Sequence, residues 1–224
     1  MEDNLHGGRR MTITQDTRIL EDGSLCFGGH RITPAAWQRQ SAPATPGRSV
    51  SLTEAFAALA QQASLRHLVV AVIGPRAATP AQEQAAETVG RALGSYGITL
   101  ICGGKTGVMA AASKGCHAAG GLMIGILPGT DPAEANPFVS IALPTGLSEG
   151  RNMVIARAAR VLVAIGGSYG TLSEVAYGLH FDKPVITLED APQIDGVRPA
   201  RTVAEAVDLT LAALLDQARS PDHV

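Results

Sequence analysis

Apolar runs alternate with helix-like segments along the chain from residue 68 onwards. The runs predict strands at residues 68–73, 98–102, 122–127, 161–165 and 185–188, with a weaker one at 138–143. Helices are predicted between and after them, over residues 80–93, 107–119, 149–160, 171–179 and 203–218. Strands that are apolar throughout are typical of a sheet that is buried on both faces. The alternation therefore predicts an α/β protein with a doubly wound, mainly parallel sheet and helices on both faces.

The first 50 residues show a different pattern. Asp22-Gly23 is a two-residue turn signal between short apolar segments, so we predict a hairpin over residues 17–33. Residues 41–47 contain two prolines among small side chains, a composition typical of a linker. The fold is therefore predicted to carry a short N-terminal hairpin extension, joined to the main sheet by a proline-rich linker.

A capping box marks the start of the main part of the chain. Ser51 and Glu54 have the spacing at which each side chain can bond the other residue's backbone amide, and they predict the start of a helix. We predict an N-terminal extension over residues 1–50 and a main domain over residues 51–224. Few contacts are expected between the two, which would make the extension removable. In the alternative, the single tryptophan, Trp37, packs into the main core.

Composition and charge narrow the classes of partner. The 224 residues are 46% hydrophobic and only 4% aromatic, so the core must be built largely from Ala, Val, Ile and Leu. Eighteen Lys and Arg against twenty Asp and Glu give a formal charge of −2, which creates no global field for nucleic acid or an anionic membrane. No apolar run approaches the roughly 20 residues of a membrane span. We predict no nucleic-acid and no membrane partner, so any anion must be bound locally.

The cysteines and histidines indicate the compartment and argue against a metal centre. Cys26, Cys102 and Cys116 contain no Cys-x-x-Cys motif and leave one thiol unpaired in any pairing, which favours a reducing compartment. We therefore expect a cytoplasmic protein. The histidines lack the spacing of metal ligands, so no metal site is predicted. No convincing export signal follows Met1, and Met11 is an alternative start.

Four loops follow the predicted strands at the edge where such sheets bind ligands. They cover residues 74–76, 103–107, 128–131 and 166–171. The second and fourth loops contain three glycines each, and glycine lets backbone amides approach a phosphate at a helix N-terminus. Neither loop has the spacing of a Walker A loop or of Gly-x-Gly-x-x-Gly, so no dinucleotide cofactor is predicted. In the alternative, tight turns of an alanine-rich domain simply require glycine.

Two charged residues next to these loops have both structural and functional interpretations. Thr171 and Glu174 have capping-box spacing, which favours a structural role for Glu174, although the same carboxylate would lie beside the glycine loop. Arg151 lies at the start of a predicted helix, where a cation opposes the helix dipole by roughly 0.3–1 kcal/mol. A negative group is therefore expected to face Arg151, and Glu149 or solvent is the ordinary alternative.

Three motifs together carry a family resemblance over about residues 68–217. They are Gly103-Gly104-Lys105-Thr106-Gly107-Val108-Met109, Glu149-Gly150-Arg151-Asn152 and Gly166-Gly167-Ser168-Tyr169-Gly170-Thr171-Leu172-Ser173-Glu174. In order and spacing they resemble the Lonely Guy (LOG)-like superfamily, formerly called lysine decarboxylase-like and related to DprA-type Rossmann domains. The resemblance implies a Rossmann-like fold and a homodimer or higher homo-oligomer. The alanine-rich predicted helices also offer small residues for close packing, either across a two-fold axis or within the chain.

The resemblance implies an activity and its residues. Enzymes of the superfamily hydrolyse the N-glycosidic bond of nucleoside 5′-monophosphates to free base and ribose 5-phosphate. Arg151 and Glu174 match the positions that carry this chemistry. A carboxylate near the anomeric carbon can stabilise an oxocarbenium-like transition state, and an arginine can orient the phosphorylated sugar. We therefore favour a nucleotide-binding phosphoribohydrolase.

Two departures from the family pattern support other functions. The Pro-Gly-Gly of the family is Gly166-Gly167-Ser168 here, and its His-Glu-Arg-Lys is Glu149-Gly150-Arg151-Asn152. These changes resemble a branch that includes molybdenum cofactor carrier-like proteins. The alternative is thus a non-catalytic binding or carrier protein for a phosphorylated ligand such as molybdenum cofactor. A third interpretation is a nucleotide sensor that uses the N-terminal hairpin as an interaction surface.

The predicted site combines the resemblance with the loop analysis. Arg151 and Glu174 are the expected catalytic residues. No resident cofactor or metal is predicted, and the expected ligand is a nucleotide or another phosphorylated small molecule. The accepted base is left open. The residues expected to bind the phosphate or nucleotide are Gly74, Arg76, Gly103, Gly104, Lys105, Gly107, Met109, Pro128, Asn152, Gly166, Gly167, Ser168, Tyr169, Gly170 and Thr171.

Overall fold

The computed structural model describes residues 16–42 and 46–218. An antiparallel sheet comes first in the chain, in the spatial order β4-β3-β2-β1-β5. Its strands are β1 (Thr17–Leu20), β2 (Leu25–Phe27), β3 (His30–Thr33), β4 (Gln38–Ser41) and β5 (Gly47–Ser49). The predicted hairpin is confirmed as β1 and β2, and it belongs to a larger five-stranded sheet. The linker is shorter than predicted: β4 extends to its first residue and β5 starts at its last, while residues 43–45 lie outside the described part.

The second sheet is parallel throughout and has seven strands, in the order β12-β11-β10-β6-β7-β8-β9. Its strands are β6 (Val69–Ile73), β7 (Thr99–Cys102), β8 (Met123–Leu127), β9 (Ile141–Pro144), β10 (Val161–Ile165), β11 (Val185–Leu188) and β12 (Arg198–Pro199). The chain adds strands outwards from β6 to β9 and then returns to place β10 on the other side of β6. This reversal is a topological switch point, where open α/β sheets form a ligand crevice.

In the part of the chain that the structure describes, six helices cover both faces of the parallel sheet. They are α1 (Leu52–Gln62), α2 (Pro80–Ser95), α3 (Val108–Ala118), α4 (Arg151–Ala158), α5 (Tyr169–His180) and α6 (Val203–Asp216). The first three and α6 contribute to the larger apolar core, whereas α4 and α5 pack on the opposite face. The predicted α/β class, with a Rossmann-like parallel sheet, is confirmed. Within the described residues, no helix is long and apolar enough to cross a membrane.

The predicted helix starts are correct for α1 and α2 and wrong for α5. Ser51 and Glu54 form the predicted capping box of α1. By contrast, α5 begins at Tyr169 with Ser168 as its N-cap, two residues before the predicted start. Glu174 is consequently the sixth residue of the helix, too far along it to bond the N-cap amide. The capping interpretation of Thr171 and Glu174 is therefore wrong.

Trp37 joins the antiparallel sheet to the rest of the molecule. Its side chain is only 2% exposed and packs against the rings of Phe56 and His67, at centroid distances of 6.0 and 5.8 Å. Its indole Nε1 donates a hydrogen bond of 3.2 Å to the carbonyl oxygen of Leu214, in the last turn of α6. Carbonyls in that turn lack partners within the helix, so the indole satisfies one of them. The expectation of few contacts across the boundary is thus wrong, and the Trp37 alternative is confirmed.

The small residues of α2 and α3 pack the two helices against each other within the same chain. A Cβ atom at Gly90 would lie 2.2 Å from the carbonyl oxygen of Ala112, and one at Gly115 would lie 2.0 Å from that of Glu87. The two helix backbones therefore touch, and glycine is required at both crossing positions. These faces are not available for packing across a two-fold axis, so they give no support to a dimer. The homo-oligomer stays a prediction.

We predict that Trp37→Ala destabilises the whole protein. The substitution removes a large buried side chain and leaves the carbonyl of Leu214 without its partner, which together cost about 3–5 kcal/mol. Urea unfolding measures the change. Arg48→Ala is the matched control in the same sheet, because the Arg48 side chain is 68% exposed. Equal unfolding midpoints for the two variants would contradict a shared core.

Candidate functional site

A cleft of about 500 Å³ opens beyond the carboxyl ends of β6 and β10, at the switch point of the parallel sheet. Loops after β6, β8 and β10 form its walls, together with the first turns of α4 and α5. Gly74 allows the two strand ends to approach, because a Cβ atom there would lie 2.4 Å from the carbonyl oxygen of Ile165. The lining residues are Gly74, Pro75, Arg76, Ala77, Met109, Pro128, Ser148, Glu149, Arg151, Asn152, Gly167, Ser168, Gly170, Thr171 and Glu174.

A buried ion pair lies in this cleft. Arg151, the first residue of α4, is 7% exposed, and Glu174 in the second turn of α5 is 5% exposed. Arg151 Nη1 donates to Glu174 Oε1 at 3.1 Å. The negative group predicted to face Arg151 is therefore Glu174, whereas Glu149 and solvent, the ordinary alternatives, are wrong. The packing of α4 against α5 produces the pair, and no local pattern in the chain could indicate it.

The electrostatics of the pair favour an anion. Burial raises the pKa of Glu174 to about 7, although the guanidinium of Arg151 lowers it. Among the described residues, Arg151 Nε is the one buried side-chain nitrogen or oxygen that has no hydrogen-bond partner. A buried donor without a partner is costly. Arg151 lines the cleft, so a phosphate oxygen bound there would add an acceptor for its guanidinium group.

The first turn of α5 adds backbone donors to the same cleft. No side chain caps this helix, so its first amides are available to an anion in the manner of other helix N-termini. Gly170 and Thr171 of this turn line the cleft. Asn152 holds the turn against α4, since its Nδ2 donates to Ser173 Oγ at 2.8 Å and to the Gly170 carbonyl at 3.4 Å. Exposed Arg76 provides a second cation at the rim.

The glycine loop at residues 103–107 lies beneath the cleft and does not line it. A Cβ atom at Gly103 would lie 2.3 Å from Arg151 Nη2, so this glycine provides the space for the guanidinium. At Gly107, where φ is +64°, a Cβ atom would lie 2.4 Å from the carbonyl oxygens of both Pro75 and Arg76. The loop therefore supports the ion pair and the loop after β6. Its glycines are placed for packing, as the structural alternative expects.

Four other predicted site residues also lie outside the lining. Gly104 packs on Leu127, and Gly166 packs on Gln82. Lys105 forms an ion pair with Glu134, with 2.6 Å between Nζ and Oε2. Tyr169 is 93% exposed and lies beside the cleft. The other predicted residues of the site do meet in the cleft: Gly74, Arg76, Met109, Pro128, Arg151, Asn152, Gly167, Ser168, Gly170, Thr171 and Glu174.

The cleft also contains residues that the predicted site omits, namely Pro75, Ala77, Ser148 and Glu149. Pro75 and Ala77 are chain neighbours of predicted residues, and Ser148 and Glu149 lie within three positions of Arg151, so proximity in the chain is the signal that could have found them. Ser148 has a φ of +48° in the short 3-10 helix Ser148–Gly150 that leads into α4. Across residues 16–42 and 46–218, no group of three or more His, Cys, Asp or Glu residues is placed to hold a metal ion.

Fold and site together define a Rossmann-like α/β protein with a cleft at its switch point, here named the anion cleft for the cationic and amide donors that line it. The chain belongs to the SLOG cluster4 family, which matches residues 67–220. It is similar to the molybdenum cofactor binding protein of Rippkaea orientalis, at 34% identity and a TM-score of 0.62, over 66% of this chain and 97% of that one. The molybdenum cofactor carrier protein of Chlamydomonas reinhardtii is 33% identical with a TM-score of 0.61, over 67% of this chain and 99% of that one.

A more distant likeness concerns the fold alone. DNA processing protein A from Helicobacter pylori is 18% identical, with a TM-score of 0.52, over 65% of this chain and 81% of that one. That protein binds single-stranded DNA. The resemblance to the LOG-like, DprA-related branch that includes molybdenum cofactor carrier-like proteins is confirmed. The absence of a nucleic-acid partner stays a prediction.

We predict that anion affinity rises as the pH falls through 7. Protonation of Glu174, whose pKa burial raises to about 7, leaves the positive charge of Arg151 uncompensated. Sulfate is the probe, because its own charge is constant over this range. We expect its affinity to increase about tenfold from pH 8 to pH 6. Glu174→Gln should bind sulfate tightly at both values, and a wild-type affinity independent of pH would contradict the interpretation.

We also predict that Gly103→Ala weakens sulfate binding by about tenfold, since the added methyl group displaces the guanidinium of Arg151. Gly150→Ala is the matched control. A Cβ atom there would be 3.8 Å from its nearest neighbour, and the backbone is already helical. Calorimetric titration of both variants gives the comparison. If Gly103→Ala bound sulfate as Gly150→Ala does, Gly103 would not position Arg151.

Proposed function

We propose that this protein is a carrier that binds a phosphorylated small molecule of the molybdenum cofactor class in the cleft. The observation that carries the proposal is the buried Arg151, whose Nε has no partner among the described residues and which lies beside the uncapped start of α5. A phosphate held there would accept from a charged side chain and from backbone amides. A cleft of about 500 Å³ is within the usual size range of small-molecule sites.

The similar structures support a carrier over an enzyme. Both are described by the molybdenum cofactor that they bind or carry, and about two thirds of this chain matches nearly the whole length of each of them. The departure at residues 166–168 from the Pro-Gly-Gly of the superfamily's hydrolases points the same way. In the cleft, the buried carboxylate is Glu174, and its Oε1 already accepts from Arg151. The other lining carboxylate, Glu149, is exposed.

Hydrolysis of a nucleoside 5′-monophosphate is the second candidate. It is favoured by the pKa of Glu174, which burial raises to about 7. A carboxyl group with that pKa can donate a proton to a departing base near neutral pH. The same residue, once ionised, can stabilise an oxocarbenium-like transition state. The two candidates share the anion cleft and differ in whether the ligand is cleaved.

Binding and cleavage can be measured on the same variants. Arg151→Ala is expected to weaken binding of ribose 5-phosphate about tenfold or more, because it removes the buried cation. Arg66→Ala, which removes an exposed cation outside the cleft, is the control and should bind normally. Melting temperatures of both variants separate loss of binding from loss of folding. Equal affinities for ribose 5-phosphate would overturn the proposed site.

Glu174→Gln separates the carrier from the hydrolase. A carrier should release no free base from any nucleoside monophosphate, and Glu174→Gln should keep or strengthen phosphate binding. A hydrolase should release base, and the same variant should lose about 100-fold or more in turnover while it still binds phosphate. Chromatographic detection of free base from AMP, GMP, CMP and UMP makes the distinction. Base release by the wild-type protein that is lost in Glu174→Gln would replace the carrier with the second candidate.

A further inference from the structure

A second cleft adjoins the anion cleft and shares two of its lining residues, Gly167 and Ser168. It measures about 430 Å³ and is lined by Gly167, Ser168, Tyr169, Leu172, Asp190 and Pro192. Its lining is predominantly apolar, in contrast to the mixed lining of the anion cleft. Tyr169 is 93% exposed and Leu172 is 38% exposed, so a flat apolar surface is open beside the predicted phosphate position. The two clefts meet at the loop between β10 and α5.

Gly167 forms the passage between the two clefts. A Cβ atom at this position would lie 2.9 Å from Pro192 Cδ, so a side chain there would close the space between the β10 loop and the segment after β11. Glycine at this point keeps the two clefts continuous. A ligand bound by its phosphate at the start of α5 can therefore extend across Gly167 and along Tyr169.

A carboxylate residue stands at the far wall. Asp190 and its neighbour Glu189 both have left-handed backbone conformations, with φ of +60° and +52°. Such conformations are uncommon for glutamate and less so for aspartate. Gln82 holds the segment in place, since its Nε2 donates to the carbonyl oxygen of Glu189. Asp190 is exposed and lines the second cleft.

We propose that the second cleft binds the heteroaromatic ring of the same ligand. The ring stacks on Tyr169, and its N–H groups donate hydrogen bonds to the carboxylate of Asp190. A carboxylate accepts two parallel hydrogen bonds from adjacent N–H groups. The ring edge that offers two such donors is a 2-amino-4-oxopyrimidine edge, as in guanine or a pterin. Adenine presents an acceptor beside its amino group and is disfavoured. This inference rests on the proposed binding of a phosphorylated ligand and adds the chemistry of its ring.

The test compares ribose 5-phosphate, AMP and GMP as calorimetric probes of the full chain. The wild-type protein should bind GMP about tenfold more tightly than AMP, because only GMP forms the bidentate pair. Asp190→Asn should remove this preference and leave ribose 5-phosphate affinity unchanged. Asp195→Asn, in the same loop but outside the lining, is the matched control and should keep the preference.

Tyr169→Ala should weaken both nucleotides about tenfold, and Tyr169→Phe should bind them normally, because the ring supplies the stacking surface. If the wild-type protein bound all three probes with equal affinity, the ring subsite would be overturned, whereas the proposed phosphate binding in the anion cleft would not. Failure of ribose 5-phosphate to bind at all would overturn the proposed function itself. A change in sedimentation of Tyr169→Ala, with nucleotide affinity unaltered, would show that this surface joins two copies of the chain and would also overturn the subsite.

Discussion

A buried ion pair between Arg151 and Glu174 is the constraint around which the cleft is built. It fixes the start of α4 against the second turn of α5, at the edge of the sheet where β6 and β10 end. Removing one partner of such a pair leaves the other charge buried and costs about 3–5 kcal/mol. The glycine at residue 103 exists in this arrangement to make room for the guanidinium. The shape of the cleft thus follows from how the pair is packed, and the glycine at residue 103 is part of that packing.

The pattern of apolar runs was sufficient to predict the parallel sheet, because strands buried on both faces leave an unbroken hydrophobic signature. It also placed Arg151 and Glu174 near the correct edge. Their contact could not be predicted, since the two residues are 23 positions apart and only the packing of α4 on α5 joins them. The start of α5 at Tyr169 was not predicted for a different reason. Thr171 and Glu174 have the spacing of a capping box, whereas the actual N-cap, Ser168, makes no side-chain capping bond.

In the N-terminal region, too, the sequence predicts local structure but not long-range contacts. A turn signal and short apolar segments correctly indicated β1 and β2, because a hairpin is specified locally. The indole of Trp37, by contrast, bonds to a carbonyl of α6, and the antiparallel sheet shares its apolar core with α1 and α6. Proline-rich composition suggested a boundary with few contacts. Composition describes the stiffness of a segment and carries no information on what the flanking segments touch.

The bond between Trp37 and Leu214 joins residues 177 positions apart. During synthesis the antiparallel sheet emerges from the ribosome well before its partner α6, because the two are far apart in the chain. Contacts of such long sequence separation form slowly, because closing the intervening chain must precede any gain from the contact. Part of the apolar face of the antiparallel sheet therefore stays uncovered until α6 has been synthesised. Exposed apolar surface of this kind is prone to aggregation, so the sheet needs protection in the nascent chain.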